Sequence, residues 1–127
     1  MQATVGCNST TRTLLKIAAT AEGATGVALV AYPLIVVRLL FASSISGAGV
    51  ITSRMAGINL IALGVACWPK ADGHQAFYGM LTYSLLAMLY LIVLGVGGTG
   101  GILLWPGAAA HFGLSVLLLW VRRKKQG

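Results

Sequence analysis

Four continuous apolar runs of bilayer-spanning length constrain this chain more than any other feature. They cover Ile17–Val37, Val50–Trp68, Ala76–Val96 and Ile102–Val121. A helix needs about 20 predominantly apolar residues to cross a hydrocarbon core. Such runs bury poorly in a small soluble domain and well in lipid. They are continuous rather than alternating, which excludes a transmembrane β-barrel. The expected fold is therefore all-α: a single four-helix, up-and-down membrane bundle.

Composition removes the main competing classes. Of 127 residues, 57% are hydrophobic and 9% charged, and the acids number two, Glu22 and Asp72. A soluble domain usually carries about 25% charged residues, so a soluble enzyme is excluded. The formal net charge is +7, yet nucleic-acid binders are not this apolar, and no nucleic-acid partner is expected. Cys7 and Cys67 have no His or Cys at metal-site or redox-motif spacing and read as free thiols. The glycine-rich segment Gly95–Gly101 has no flanking strand or Lys for phosphate and reads as a tight turn.

Charge placement sets the expected orientation. With four spans, Arg12, Lys16, Lys70, Arg122, Arg123, Lys124 and Lys125 share one side, seven of the nine basic residues. Arg38 and Arg54 fall on the other. The positive-inside rule then puts both termini in the cytoplasm of a bacterial inner membrane. Trp68 and Trp120 stand at the cytoplasmic ends and Trp105 near the outer end, as an interfacial aromatic belt requires. Arg122–Lys125 is a stop-transfer tail that contacts anionic lipid. The first run is longer than a secretory h-region and contains Glu22, so it reads as a retained span. Pro33, without an amide proton, is expected to kink or loosen that helix near its outer end.

Polar residues within spans are costly and mark candidate sites. Glu22 is the sole carboxylate in any run, five residues beyond Ile17 and so about 7–8 Å deep at 1.5 Å per residue. Thr82 or Tyr83 is placed to hydrogen-bond it. Its functional reading is a proton, cation or ligand site, and its structural reading is a bonded carboxylate that locks the bundle. Arg38 and Arg54 flank a Ser/Gly loop where they bind lipid phosphate, select anions or simply snorkel to the headgroups. Asn59 and His111 fall near the midplane and are candidates for interhelical hydrogen bonding. His111 is also a possible axial haem or chlorin ligand, although no cofactor or metal is required by the pattern. Small residues recur at helical spacing, with Gly23, Gly57, Gly64 and Gly113 as close-packing positions.

Certain strings carry a resemblance over the first two spans. Glu22-x3-Gly26 followed by Pro33, then Arg54-Met55-Ala56-Gly57-Ile58 and Ala62-Leu63-Gly64-Val65-Ala66-Cys67-Trp68, resembles small four-helix proteins of bacterial inner membranes. The broader pattern is similar to DoxX-like proteins, some of which are subunits of quinone-linked oxidoreductases. That resemblance implies an accessory role and assigns no catalytic residue.

No nucleophile–base pair or ligand cluster stands out, so the leading expectation is a non-catalytic accessory or structural subunit, or assembly factor, of a larger bioenergetic membrane complex. Its partners are lipids and other integral subunits or itself. Filling an exposed small-residue face, Gly57 and Gly64 to Leu, is expected to release a partner and spare the fold. The alternative is a homo-oligomeric proton- or cation-coupled carrier or channel using Glu22. A further alternative is a quinone- or haem-handling oxidoreductase subunit using His111.

Overall fold

The structure is a computed structural model that describes residues 9–69 and 74–124. Cys7, Lys70, Asp72 and Lys125 lie outside the described residues. Every regular element among those described is helical: α1 (Ser9–Ala31), α2 (Pro33–Phe41), α3 (Ala48–Ala66), α4 (His74–Val96) and α5 (Leu104–Lys124). The helices α1, α3, α4 and α5 are each long and apolar enough to cross a membrane. The fold is thus an all-α, multi-pass membrane bundle.

The first span departs from expectation at both ends. A helix over Ile17–Val37 was expected, whereas α1 begins at Ser9 and ends at Ala31. Arg12 and Lys16 are exposed and ride on the helix instead of stopping it, as long basic side chains do when they snorkel. Thr13, Thr20 and Thr25 donate to the carbonyls of Ser9, Lys16 and Ala21 at 3.0, 2.8 and 2.9 Å. Their hydroxyls are therefore satisfied within the helix without water.

Proline sets the other boundary. Crowding by a proline ring moves the preceding residue out of the α region, and Tyr32 has φ −130° and ψ 56°. Pro33 then opens α2, where its missing N–H is one of the helix's orphan donors anyway. The expected kink is a full break between two helices. His74 is the first residue of α4.

Helix α2 ends at Ala42, which takes the left-handed conformation (φ 52°) and donates to the Arg38 carbonyl at 2.9 Å. The carbonyls of Leu39 and Leu40 are orphans of this last turn. They accept from the amides of Leu103 at 2.9 Å and Gly101 at 2.8 Å. The turn between α4 and α5 is thereby fastened to the end of α2.

Packing within the bundle is uneven. The main interfaces are α1 on α3 and α4 on α5, and α1 also touches both α4 and α5. A buried cluster of Leu15, Ala18 and Ala19 with Cys67, Ala76, Met80, Leu81 and Leu118 joins all four spans. It places the start of α1 and the end of α5 together, so the basic residues Arg12, Lys16, Arg122, Arg123 and Lys124 gather at one end. Large apolar side chains elsewhere face outward, among them Ile51, Met55, Ile58 and Val65 on α3 and Leu86, Leu89, Tyr90 and Val93 on α4. Helices apolar all round suit a lipid environment.

Glycine permits the α1–α3 approach. A Cβ on Gly26 would lie 2.5 Å from the Gly57 carbonyl oxygen, and one on Gly57 would lie 2.6 Å from that of Gly26. A Cβ on Gly64 would lie 2.7 Å from the Ala19 carbonyl oxygen. These are backbone contacts that cannot give way as a flexible side chain does. Gly57 and Gly64 consequently serve this chain's own fold, and the expectation that both could become Leu without loss of folding is overturned.

Candidate intramembrane carboxylate site

Glu22 lies thirteen residues beyond Ser9, roughly 20 Å along the axis at 1.5 Å per residue. It is therefore central in its helix, not shallow as a span starting at Ile17 implied. The earlier start of α1 also changes its register against α5. The α5 residue that stands at the level of Glu22 is His111.

Three side chains from three helices converge at this level. The Tyr83 phenol of α4 donates to Oε2 of Glu22 at 3.1 Å. Nδ1 of His111 on α5 stands 3.9 Å from Oε1 of the same carboxyl group, within ion-pair range but beyond a direct hydrogen bond. The rings of Tyr83 and His111 meet edge to face, with centroids 5.5 Å apart and planes at 80°. Glu22 is only 8% exposed. Ser115 donates to the His111 carbonyl at 2.8 Å, which settles its own hydroxyl.

This geometry has a simple electrostatic consequence. An isolated carboxylate is costly at such a site, and so is an isolated imidazolium. A carboxyl group beside a neutral imidazole carries no net charge. Neither does a carboxylate beside an imidazolium, and the two arrangements differ only in where one proton resides. Tyr83 can donate to the carboxyl oxygen in both. The constellation is thus equipped to hold a proton inside the membrane without an uncompensated charge.

The other candidates do not join it. Asn59 was expected to hydrogen-bond across the bundle near His111, but it is exposed on α3 and has no hydrogen-bond partner among the described residues. The reason is angular: α3 turns Gly57 and Gly64 towards α1, and at 100° per residue Asn59 lies about 200° round the helix from Gly57. Arg38 and Arg54 are likewise exposed, at the end of α2 and early in α3. Neither arginine has an acidic partner among the described residues, where the one pair within ion-pair range is His111 with Glu22.

His111 directs Nδ1 towards a carboxyl oxygen 3.9 Å away and packs its ring on Tyr83, without the direct interhelical hydrogen bond expected of it. Nothing in that arrangement favours axial haem ligation over proton exchange. No group of three metal-ligating side chains occurs among the described residues. Cys67 is buried in the core cluster beside Gly79, where a Cβ would meet its sulfur at 3.4 Å. Gly23 and Gly113 differ from the packing glycines, since a Cβ on either meets nothing within 4 Å.

Sequence reasoning offered Thr82 or Tyr83 as the hydrogen-bond partner of Glu22, and Tyr83 is that partner; it did not bring His111 to the same carboxyl group. The usable signal was the threonine-rich, helix-compatible stretch before Ile17, which lengthens α1 and lowers Glu22 to the depth of His111. Comparison with family models, curated proteins and solved structures finds no match to this chain.

Proposed function

We propose that this chain is a small proton-handling carrier of the bacterial inner membrane, with both termini in the cytoplasm. Glu22 is its exchangeable site, acting in a homo-oligomer. The observation that carries this reading is the convergence of Glu22, Tyr83 and His111 from three helices at mid-bundle. Intramembrane carboxylate–histidine arrangements suit proton relays, and here the pair exchanges a proton without changing its net charge. Arg38 and Arg54, exposed towards the opposite end from the basic cluster, attract anionic substrates to the outer mouth.

The test is reconstitution of the purified protein into liposomes loaded with a pH-sensitive dye. An imposed pH gradient should collapse faster than in empty vesicles. Glu22→Gln, checked for a monodisperse elution profile, should reduce that rate at least tenfold. A variant that retains the wild-type rate would remove Glu22 from the mechanism.

A second reading, the accessory subunit of a larger complex, is favoured by the outward apolar faces of α3 and α4. Gly57 and Gly64 offer such a partner no surface, because both pack within this chain's own α1–α3 interface. Native mass spectrometry after gentle extraction separates the two: stoichiometric foreign subunits favour the accessory role, and a homo-oligomer favours the carrier.

A further inference from the structure

A groove of about 450 Å³ runs along the outside of the α1–α3 pair, lined by Ala19, Gly23, Val27, Ile61, Gly64, Val65 and Trp68. Its volume lies within the range of about 300–1,000 Å³ usual for small-ligand sites. The side chains that line it are apolar, with the amphipathic indole of Trp68 among them. Gly23 forms part of its floor, where a Cβ would meet no atom within 4 Å, so the space above this glycine is open.

The groove also has a charged end. Lys16 precedes Gly23 by seven residues, almost two full helical turns, and so shares the face of α1 that carries Gly23 and Val27. It is exposed, and among the described residues no acid pairs with it. On α3, Ile61, Gly64 and Val65 form the matching stripe, continued by Trp68 just past the helix end, at the same end as Lys16. An apolar channel capped by an ammonium and an amphipathic indole has the polarity of a phospholipid: tail along the channel, phosphate at its mouth.

We propose that this groove binds one acyl chain of an anionic phospholipid whose headgroup phosphate is held by Lys16 beside Trp68. A second copy of the chain suits the surface less well. In a parallel two-fold dimer the same patch faces itself, bringing two Lys16 ammoniums together with no described acid to neutralise them. The lipid phosphate supplies the opposite charge instead. The site is separate from Glu22 and does not rest on the carrier reading.

The test uses the Trp105→Phe/Trp120→Phe protein, in which Trp68 is the one fluorophore of its type, in vesicles containing brominated phosphatidylglycerol or brominated phosphatidylcholine. Trp68 should be quenched with about fivefold preference for phosphatidylglycerol, the factor equivalent to roughly 1 kcal/mol for one lysine at a charged surface. Lys16→Gln should reduce the preference to near unity, and Gly23→Leu should weaken quenching by both lipids. Equal quenching by the two lipids, or a preference that survives Lys16→Gln, would overturn the assignment. If the double Trp variant does not fold, native mass spectrometry of the unaltered chain gives the same decision. Retained phosphatidylglycerol that is lost in Gly23→Leu supports the site, whereas a dimer that Gly23→Leu dissociates assigns the groove to a second copy.

Discussion

Tyr83 reaches across the bundle to Glu22, 61 residues away in the chain, with a 3.1 Å hydrogen bond from its phenol to Oε2. This bond links α4 to α1, which otherwise make a small interface. Interhelical hydrogen bonds in membrane proteins average about 0.6 kcal/mol and reach about 1.7. Tyr83→Phe should therefore lower stability by about 1 kcal/mol, read as a shift in the midpoint of reversible unfolding in mixed micelles. The same substitution in a Glu22→Ala background should cost almost nothing, because the acceptor is gone. Equal costs in both backgrounds would mean that the tyrosine contributes through packing alone.

Glycine positions that look alike in sequence should respond oppositely to enlargement. Gly57→Leu drives a side chain against the Gly26 carbonyl, and Gly64→Leu drives one against that of Ala19. Overpacking costs about 1–3 kcal/mol where neighbours can adjust, and a facing helix backbone adjusts little. Each variant should lose about 3 kcal/mol and extract as aggregate. Gly113→Leu meets open space and should stay within about 0.5 kcal/mol of the parent. Thermal unfolding monitored by size-exclusion fluorescence orders the three; a stable Gly57→Leu would refute the close α1–α3 contact.

Much of this architecture is legible in the sequence, and the exceptions have identifiable causes. Runs of apolar residues locate α3, α4 and α5 to within a few residues of Ala48–Ala66, His74–Val96 and Leu104–Lys124, since in lipid the hydrophobic length and the helix nearly coincide. For α1 they do not coincide. Hydropathy stops at Lys16, but backbone hydrogen bonding continues back to Ser9. That difference hid the shared depth of Glu22 and His111. Which glycines face a neighbour was equally hidden, because Gly23, Gly57, Gly64 and Gly113 carry no side chain to mark a face. Only the helix partners distinguish them.

The basic cluster predicts topology. Arg12, Lys16, Arg122, Arg123 and Lys124 collect at one end of the bundle, and the positive-inside rule predicts a cytoplasmic location for that end. A fluorescent-protein fusion at the C-terminus should fluoresce, and an alkaline-phosphatase fusion there should be inactive. Replacing Arg122, Arg123, Lys124 and Lys125 by Gln should yield a measurable fraction of inverted molecules. An active phosphatase fusion on the unaltered chain would reverse the assignment.

At the opposite end, the break at Pro33 and the α4–α5 turn should depend on one another. Beyond the break, the terminal carbonyls of α2 meet the amides of Gly101 and Leu103. Gly101 has no room for a side chain, since a Cβ would press on the Leu39 carbonyl group. Gly101→Ala should therefore release the clasp, and amide exchange at Leu103 should accelerate by about tenfold, the equivalent of roughly 1.4 kcal/mol. Pro33→Ala acts from the other partner. It restores an amide proton and removes the crowding that holds Tyr32 at ψ 56°, so α1 and α2 can merge into one helix. The carbonyls of Leu39 and Leu40 then swing away from the turn. Both variants should show the same faster exchange at Leu103, with little change at Leu15 in the core cluster at the far end. Acceleration in Gly101→Ala alone would mean that the clasp forms whatever the direction of α2, and the proline would then have no part in positioning it.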